Sequence, residues 1–492
     1  MRSHRLTVAG ITLLTVLLAT ACSSGDTAEE PSSSMGGATG GTGGTGGSAG
    51  SDASGGSAGS TGGTGGTGGS GGVGGSGGGI GGSAGTGGTA GSAGSAGTGG
   101  TAGSAGSGGT PAIQHPFPQQ LSFPNTIKPT HLSQADMDQT VASYFDAWKA
   151  TYVKPSNGNT PGGGYYVAMK GTGGSGSEKT TSEAHGYGMI LFALMAGHDP
   201  AARDIFDGFF NMYDKHRSTL DDDLMSWVID ESESTSEDQA SATDGDMDIA
   251  YALLLADAQW GSAGPVDYRA EAVRMIQDGI KPSEMGASSH RTLLGDWSSD
   301  EWATRSSDWM TGHFHAYGAA TGDGFWATAA ATAYDMIGHM RTNHAPSTGL
   351  MPDFVVGTTP HPASPYFLEA ETDGAYSWNA CRFPLRMAVD YAHHGSPAAR
   401  EAILAILAWL APKTGNDPEQ IVAGYSLGGQ KLVSYTSAAF TGPLVAACVA
   451  DTSRQDYLNQ GFSLLAQDKS GYYEDTLALL SMLLVTGNWW SP

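Results

Sequence analysis

From about residue 133 onward, apolar residues recur at the helical spacing, and each apolar stretch ends in a break of Gly, Pro or Asp. Tyr144, Ala147 and Trp148 mark a helix over 133–150, opened by Ser133. Met189, Phe192, Ala193 and Ala196 mark a second over 183–197. The break Gly197-His198-Asp199-Pro200 follows, and Ile205, Phe209 and Met212 begin a third. About twelve such stretches can be counted, the later ones near 246–260, 324–342, 379–394, 397–411, 434–450 and 472–486. No run of alternating β-branched residues competes with them. The pattern predicts an all-α domain of helical hairpins, and that number of hairpins suits either a closed double-layer barrel or a solenoid.

The helical pattern is confined to 111–492. Most of the 76 glycines precede it, in a tract over 23–110 built from Gly, Ser, Thr and Ala in short quasi-repeats. With almost no apolar side chains to offset ordering entropy, this tract is expected to be a flexible tether with an r.m.s. span on the order of 50 Å. Residues 1–22 have the form of a lipoprotein-type signal peptide. Arg2 and Arg5 precede an apolar core, and Ala19-Thr20-Ala21-Cys22 ends it. That core is too short for a membrane span. Export follows, with Cys22 as the expected lipidation site, although Ala19 stands where a lipobox usually has leucine. Any membrane association is expected through that anchor alone.

The formal charge of −25 argues against nucleic acid and anionic lipid as partners and permits a neutral or cationic polymer. Cys381 and Cys448 each lie in a helical apolar pattern, which predicts two buried free thiols. Two long stretches between helices, Gly295 to Trp309 and Met351 to Trp378, carry many of the aromatics. Trp and Tyr beside scattered carboxylates suit a polysaccharide.

Three stretches carry chemistry. In Ser182-Glu183-Ala184-His185-Gly186-Tyr187-Gly188-Met189 a glutamate opens an apolar helix among small residues. Apolar neighbours favour the protonated form a general acid needs, whereas the plainer reading is Ser182 as N-cap with Glu183 at the positive helix end. In Ala242-Thr243-Asp244-Gly245-Asp246-Met247-Asp248 three aspartates open a long apolar helix that ends at Trp260. A calcium loop is excluded, because its Gly and Glu positions hold Ile249 and Leu255. The three cannot all serve as caps, so one or two are expected to bind a ligand or activate water. The third stretch is Trp378-Asn379-Ala380-Cys381-Arg382-Phe383-Pro384-Leu385-Arg386.

Taken together and in this order, the three resemble the motifs of glycoside hydrolase family 8, over most of the domain from about residue 130 to the C-terminus. The resemblance implies a barrel of six inner and six outer helices, (α/α)6, an inverting mechanism and no metal or organic cofactor. Glu183 matches the general acid. Asp244 matches an aspartate that contacts the sugar at the cleavage point, and Arg382 an arginine that orients carboxylates. Tyr187, Trp227, Asp246 and Asn379 are grouped with Arg382 as substrate-binding. One subgroup of the family carries an aspartate base where this chain has Asn379, and an amide cannot accept a proton from water. A second subgroup, with chitosanases and lichenan-degrading enzymes, has asparagine there and draws its base from a glutamate in the preceding loop. Here that implies Glu369, with Glu371 in reserve. The resemblance thus implies a monomeric enzyme that cuts β-1,4 bonds in a β-glucan or chitosan. A surface lipoprotein that binds polysaccharide without cutting it is the alternative.

Other signals are weaker. Gly424-Tyr425-Ser426-Leu427-Gly428 matches a nucleophile elbow but lacks a flanking sheet. His313-Phe314-His315 and His393-His394 lack helical zinc spacing, so surface or cleft positions are expected. Trp489-Trp490 is expected to pack on the barrel.

Overall fold

The computed structural model describes residues 112–169, 178–233 and 239–492. The signal-like start with Cys22 and the Gly-rich tract lie outside the described residues. Among the described residues twelve helices follow one another: α1 (Gln134–Tyr152), α2 (Ser182–Leu194), α3 (Ala202–Lys215), α4 (Thr243–Trp260), α5 (Tyr268–Arg274, continued by a π-helical segment Met275–Ile280 and a last turn Lys281–Ser283), α6 (Thr311–Thr321), α7 (Phe325–Asn343), α8 (Phe383–His394), α9 (Pro397–Lys413), α10 (Ala438–Ala447), α11 (Gln455–Leu465) and α12 (Tyr472–Val485).

The even-numbered helices touch in sequence, α2 to α4, α6, α8, α10 and α12, and α12 returns to α2. Each odd-numbered helix backs one of them: α3 on α2, α5 on α4, α7 on α6, α9 on α8, α11 on α10 and α1 on α12. This is the closed (α/α)6 barrel; the ring closure, absent from the periodicity, excludes the solenoid.

Sequence separates the layers. In α2 every residue but Glu183 is buried, and α10 is buried throughout, as helices that are apolar all round must be. The outer α3 is two-faced, with Ile205, Phe206, Phe209, Met212 and Tyr213 inward and Asp204 and Lys215 at its ends. Cys381 and Cys448 are buried free thiols, as expected. Trp489 and Trp490 pack on the barrel, Trp490 stacking on His115 at 4.3 Å.

Among the described residues seven short strands decorate the loops in antiparallel pairings: β1 (Val153–Pro155) with β2 (Tyr165–Val167), β3 (Glu178–Thr181) with β4 (Val228–Asp230), and β5 (Thr304–Arg305) with β6 (Phe354–Val356), which also pairs with β7 (His361–Pro362). At two to four residues they are too short for an alternation signal. The β3–β4 ladder moves one expected boundary. It runs through Thr181, whose hydroxyl caps α2 by accepting the Ala184 N–H at 3.3 Å, so Thr181 and not Ser182 is the N-cap. The Ser182 N–H is spent on the Trp227 carbonyl at 2.9 Å.

Candidate active site

Helix packing at one end of the barrel decides where the carboxylates lie. At Gly245 a Cβ would fall 2.2 Å from Ser182 Oγ and 2.5 Å from the Ser182 carbonyl carbon. At Gly186 it would fall 2.6 Å from Asp248 Cβ. Only glycine lets the first turns of α2 and α4 approach so closely, which brings Glu183 and Asp244 to one cation. That cation is Arg382, just before α8, whose Nη1 lies 2.6 Å from Glu183 Oε2 and 2.6 Å from Asp244 Oδ2. From the start of α12 the Tyr472 hydroxyl donates to Glu183 Oε1 at 2.6 Å. The site is thus assembled from the N-terminal ends of inner helices, where the macrodipoles favour anionic groups.

The same Arg382 connects onward. Its Nη2 donates to Asn379 Oδ1 at 2.9 Å, and Asn379 Nδ2 donates to Glu369 Oε2 at 2.7 Å. A chain of side chains therefore runs Glu183–Arg382–Asn379–Glu369. Asn379, whose amide cannot act as base, instead binds one carboxylate oxygen of the loop glutamate. Glu369 keeps a quarter of its side chain exposed.

The backbone of the loop around Glu369 is held by Asp373. Buried Asp373 accepts the N–H groups of Leu368 at 2.7 Å, Glu369 at 3.0 Å and Ala370 at 2.8 Å. Tyr366 is 72 % exposed, and Glu371 points to solvent. Asp353 fixes the other side, one oxygen accepting from the N–H groups of Ser377, Asn379 and Ala380 at 3.2, 3.0 and 2.6 Å.

Electrostatics separate the two central carboxyls. Burial pushes Glu183 above the ordinary carboxylate range, and Arg382 opposes this without cancelling it. Burial acts on Asp244 as well, but Arg382 together with Arg305 holds it below that range. One group is poised to carry a proton and its neighbour to stay charged, the division of labour that acid catalysis needs.

Three expected placements are corrected. Tyr187 is 1 % exposed and lies one turn below Glu183, with Arg386 over its ring at 5.7 Å; it supports the site from beneath and does not line a cleft. Position i+4 on an inner helix leads deeper into the barrel. Asp248, one turn below Asp244, obeys the same rule. It is fully buried and takes a bidentate pair from Arg386 at 2.8 and 2.6 Å and a contact from His313 at 2.8 Å. His313 is therefore a core residue stacked on Tyr251 at 3.9 Å, not a surface or cleft histidine. Asp246 is also fully buried and does not reach the site. Two residues on from Asp244 it faces away, accepting the Met225 N–H at 2.8 Å beside Glu284. Trp227 is half-buried beside the start of α2.

Arg305, Asp308, Asp353, Asp373 and Tyr472 were not singled out in the sequence. The first two sit at the end of the long aromatic stretch 295–309, and nothing local marks the others.

Residues 123–487 match the family described as glycosyl hydrolases family 8. The chain belongs to that family. It is a glycoside hydrolase. It is 39% identical over 381 residues to an endoglucanase of Bacillus sp. (strain KSM-330), covering 77% of this chain and 82% of that protein. It is 40% identical over 383 residues to a beta-glucanase of Niallia circulans, covering 76% of this chain and 91% of that one. Among solved structures, the apo beta-1,3-1,4-glucanase of Paenibacillus sp. X4 superposes with a TM-score of 0.74 at 39% identity, over 77% of this chain and all of that one. Membership in a family of hydrolases weighs against the non-catalytic alternative.

Proposed function

We propose that this family 8 member is an endo-acting, inverting β-glucanase of the subgroup that uses a loop glutamate as base. The observation that carries the reading is the hydrogen bond from Asn379 to Glu369, which ties the loop carboxylate to the Arg382 that also holds Glu183. Glu183 gives its proton to the leaving glycosidic oxygen as the anomeric C–O bond breaks. Glu369 takes a proton from the water that attacks the opposite face. Asp244, held charged, contacts the sugar ring at the cleavage point. Each turnover leaves Glu183 ionised and Glu369 protonated, and both return through solvent. An inverting pair stands roughly 6.5–9.5 Å apart to admit the water.

The names of the relatives favour a β-1,4-glucan or mixed-linkage β-1,3-1,4-glucan as substrate. The test is reducing-sugar release from lichenan, carboxymethylcellulose and chitosan, with the anomer of the fresh product read by NMR. Glucan cleavage giving the α-anomer first is expected; a β-anomer product refutes inversion, and turnover of chitosan alone refutes the glucan reading. Glu183→Gln should lose roughly 10²–10⁴-fold. Glu369→Gln should be equally impaired and Glu371→Gln much less so. We also propose export with lipid anchoring at Cys22, action as a monomer, and the tract 23–110 as the tether. Cys22→Ser should then move the enzyme from the membrane to the soluble fraction.

A further inference from the structure

The two long aromatic stretches converge on one arginine. In the β5–β6 pairing Arg305 lies opposite Phe354. Its guanidinium lies 5.4 Å from the centre of the Phe354 ring, and that ring packs on Phe367 of the Glu369 loop at 5.7 Å. Phe354 joins Leu294, Ala303 and Ala363 in a small core separate from the barrel, with Leu368 packed against it. The Phe354 N–H donates to the carbonyl of Asp373, whose carboxylate holds the backbone of residues 368–370. The sheet and its core are thus a mount for the loop, and Arg305 is the charged group on that mount.

Arg305 is 7 % exposed. Its Nη2 lies 3.5 Å from Glu369 Oε1, and its Nη1 lies 3.8 Å from Asp244 Oδ1 and 3.4 Å from Asp308 Oδ2. Asn379 binds the other oxygen of Glu369 at 2.7 Å, so one oxygen is hydrogen-bonded and the other faces the guanidinium. Desolvating a guanidinium is costly, and a partner for Asp308 alone would not require a cation aimed at two further carboxylates.

We propose that Arg305 is a positioning residue for the base, fixing the orientation of Glu369. The inference rests on Glu369 as base. The other charged groups around this point are Asp244 from α4, Arg382 from the start of α8, Asp353 beside β6, and Asp308.

The experiment compares Arg305→Met, which keeps bulk without charge, and Arg305→Lys, which keeps charge without the fork. For Met, kcat should fall by about 10²-fold with KM within a few-fold, since misplacing a reacting group costs that much. Lys should also lose kcat, since one ammonium cannot reproduce the fork, and it decides the matter if Met fails to fold. The partner measurement is azide rescue of Glu369→Ala. An arginine that acts through Glu369 should matter little to the rescued rate. An unchanged kcat in Arg305→Met, or the same rate loss in the azide-rescued background, overturns the proposal. Full turnover by Glu369→Gln would instead overturn the base assignment.

Discussion

Tyr472→Phe removes a single hydrogen bond from the acid and leaves the ring in place. The phenol donates to Glu183 Oε1 at 2.6 Å, while Arg382 holds the other oxygen. Burial raises the carboxyl above its ordinary range, and Arg382 and then Tyr472 pull it back. A hydrogen bond to a charged oxygen is worth about 1.5–3 kcal/mol and one to a neutral oxygen about 0.5–1.5 kcal/mol. The phenol thus favours the carboxylate over the acid by about 1–2 kcal/mol, or about one pH unit at 1.36 kcal/mol per unit. Without it the folded value, already raised, rises further. The acid works only while protonated, so the basic limb of kcat/KM should move to higher pH by about one unit. That limb reports the free enzyme, the state whose geometry is described above. The assay is kcat/KM on a soluble β-glucan across pH 5–10, with circular dichroism to confirm folding. A limb that stays still or moves down would show that Glu183 does not control it, or that Tyr472 does not favour its charged form.

Arg386→Met should destabilise the domain by about 3–5 kcal/mol, read as a lower urea midpoint, because it leaves Asp248 charged and buried without its bidentate partner. Asp248 is buried, yet Arg386 and His313 hold it at about 2. Its contribution is therefore complete above the ordinary carboxylate range and lost as pH falls towards 2, and Arg386→Met should flatten this part of a plot of Tm against pH. His185, His216 and His393 are held neutral by burial, each lowered to about 4. The unfolded chain binds protons first, so Tm should already decline between pH 6.5 and 4. Gly245→Ala should cost about 1–3 kcal/mol or more through overpacking against the Ser182 backbone, and kcat should fall as Glu183 and Asp244 are forced apart.

The helical class was legible because its signal is repeated along the chain and inner helices such as α2 and α10 are apolar almost all round. Which helices lie inside, and that the ring closes, depends on contacts between distant segments that periodicity does not encode. Local chemistry marked the starts of α2 and α4 as places where carboxylates gather, and the family resemblance singled out Glu183 and Asp244 among them. Local chemistry failed one turn later. Asp246 and Asp248 look like Asp244 in sequence, but the rotation of the helix turns one towards Met225 and sends the other down to Arg386. Asn379 signalled a missing base, whereas Asp373, which fixes the loop carrying Glu369, looks in sequence like any solvated loop carboxylate. Arg305 and Tyr472 reach the site from far along the chain, and no local pattern announces a residue that acts by arriving from elsewhere.

The contact at Gly245 has a consequence for how such an enzyme can diversify. Where α2 and α4 meet, no atom can be added without pushing backbone against backbone, so the spacing between acid and charged aspartate is inherited as a fixed quantity. Glu369 is not tied in this way: its loop hangs on a small sheet with a core of its own. Changes in that sheet can tilt or exchange the base without disturbing the barrel. Substitutions that move the base are therefore tolerated in that one wall, whereas the wall where α2 meets α4 has no room for them.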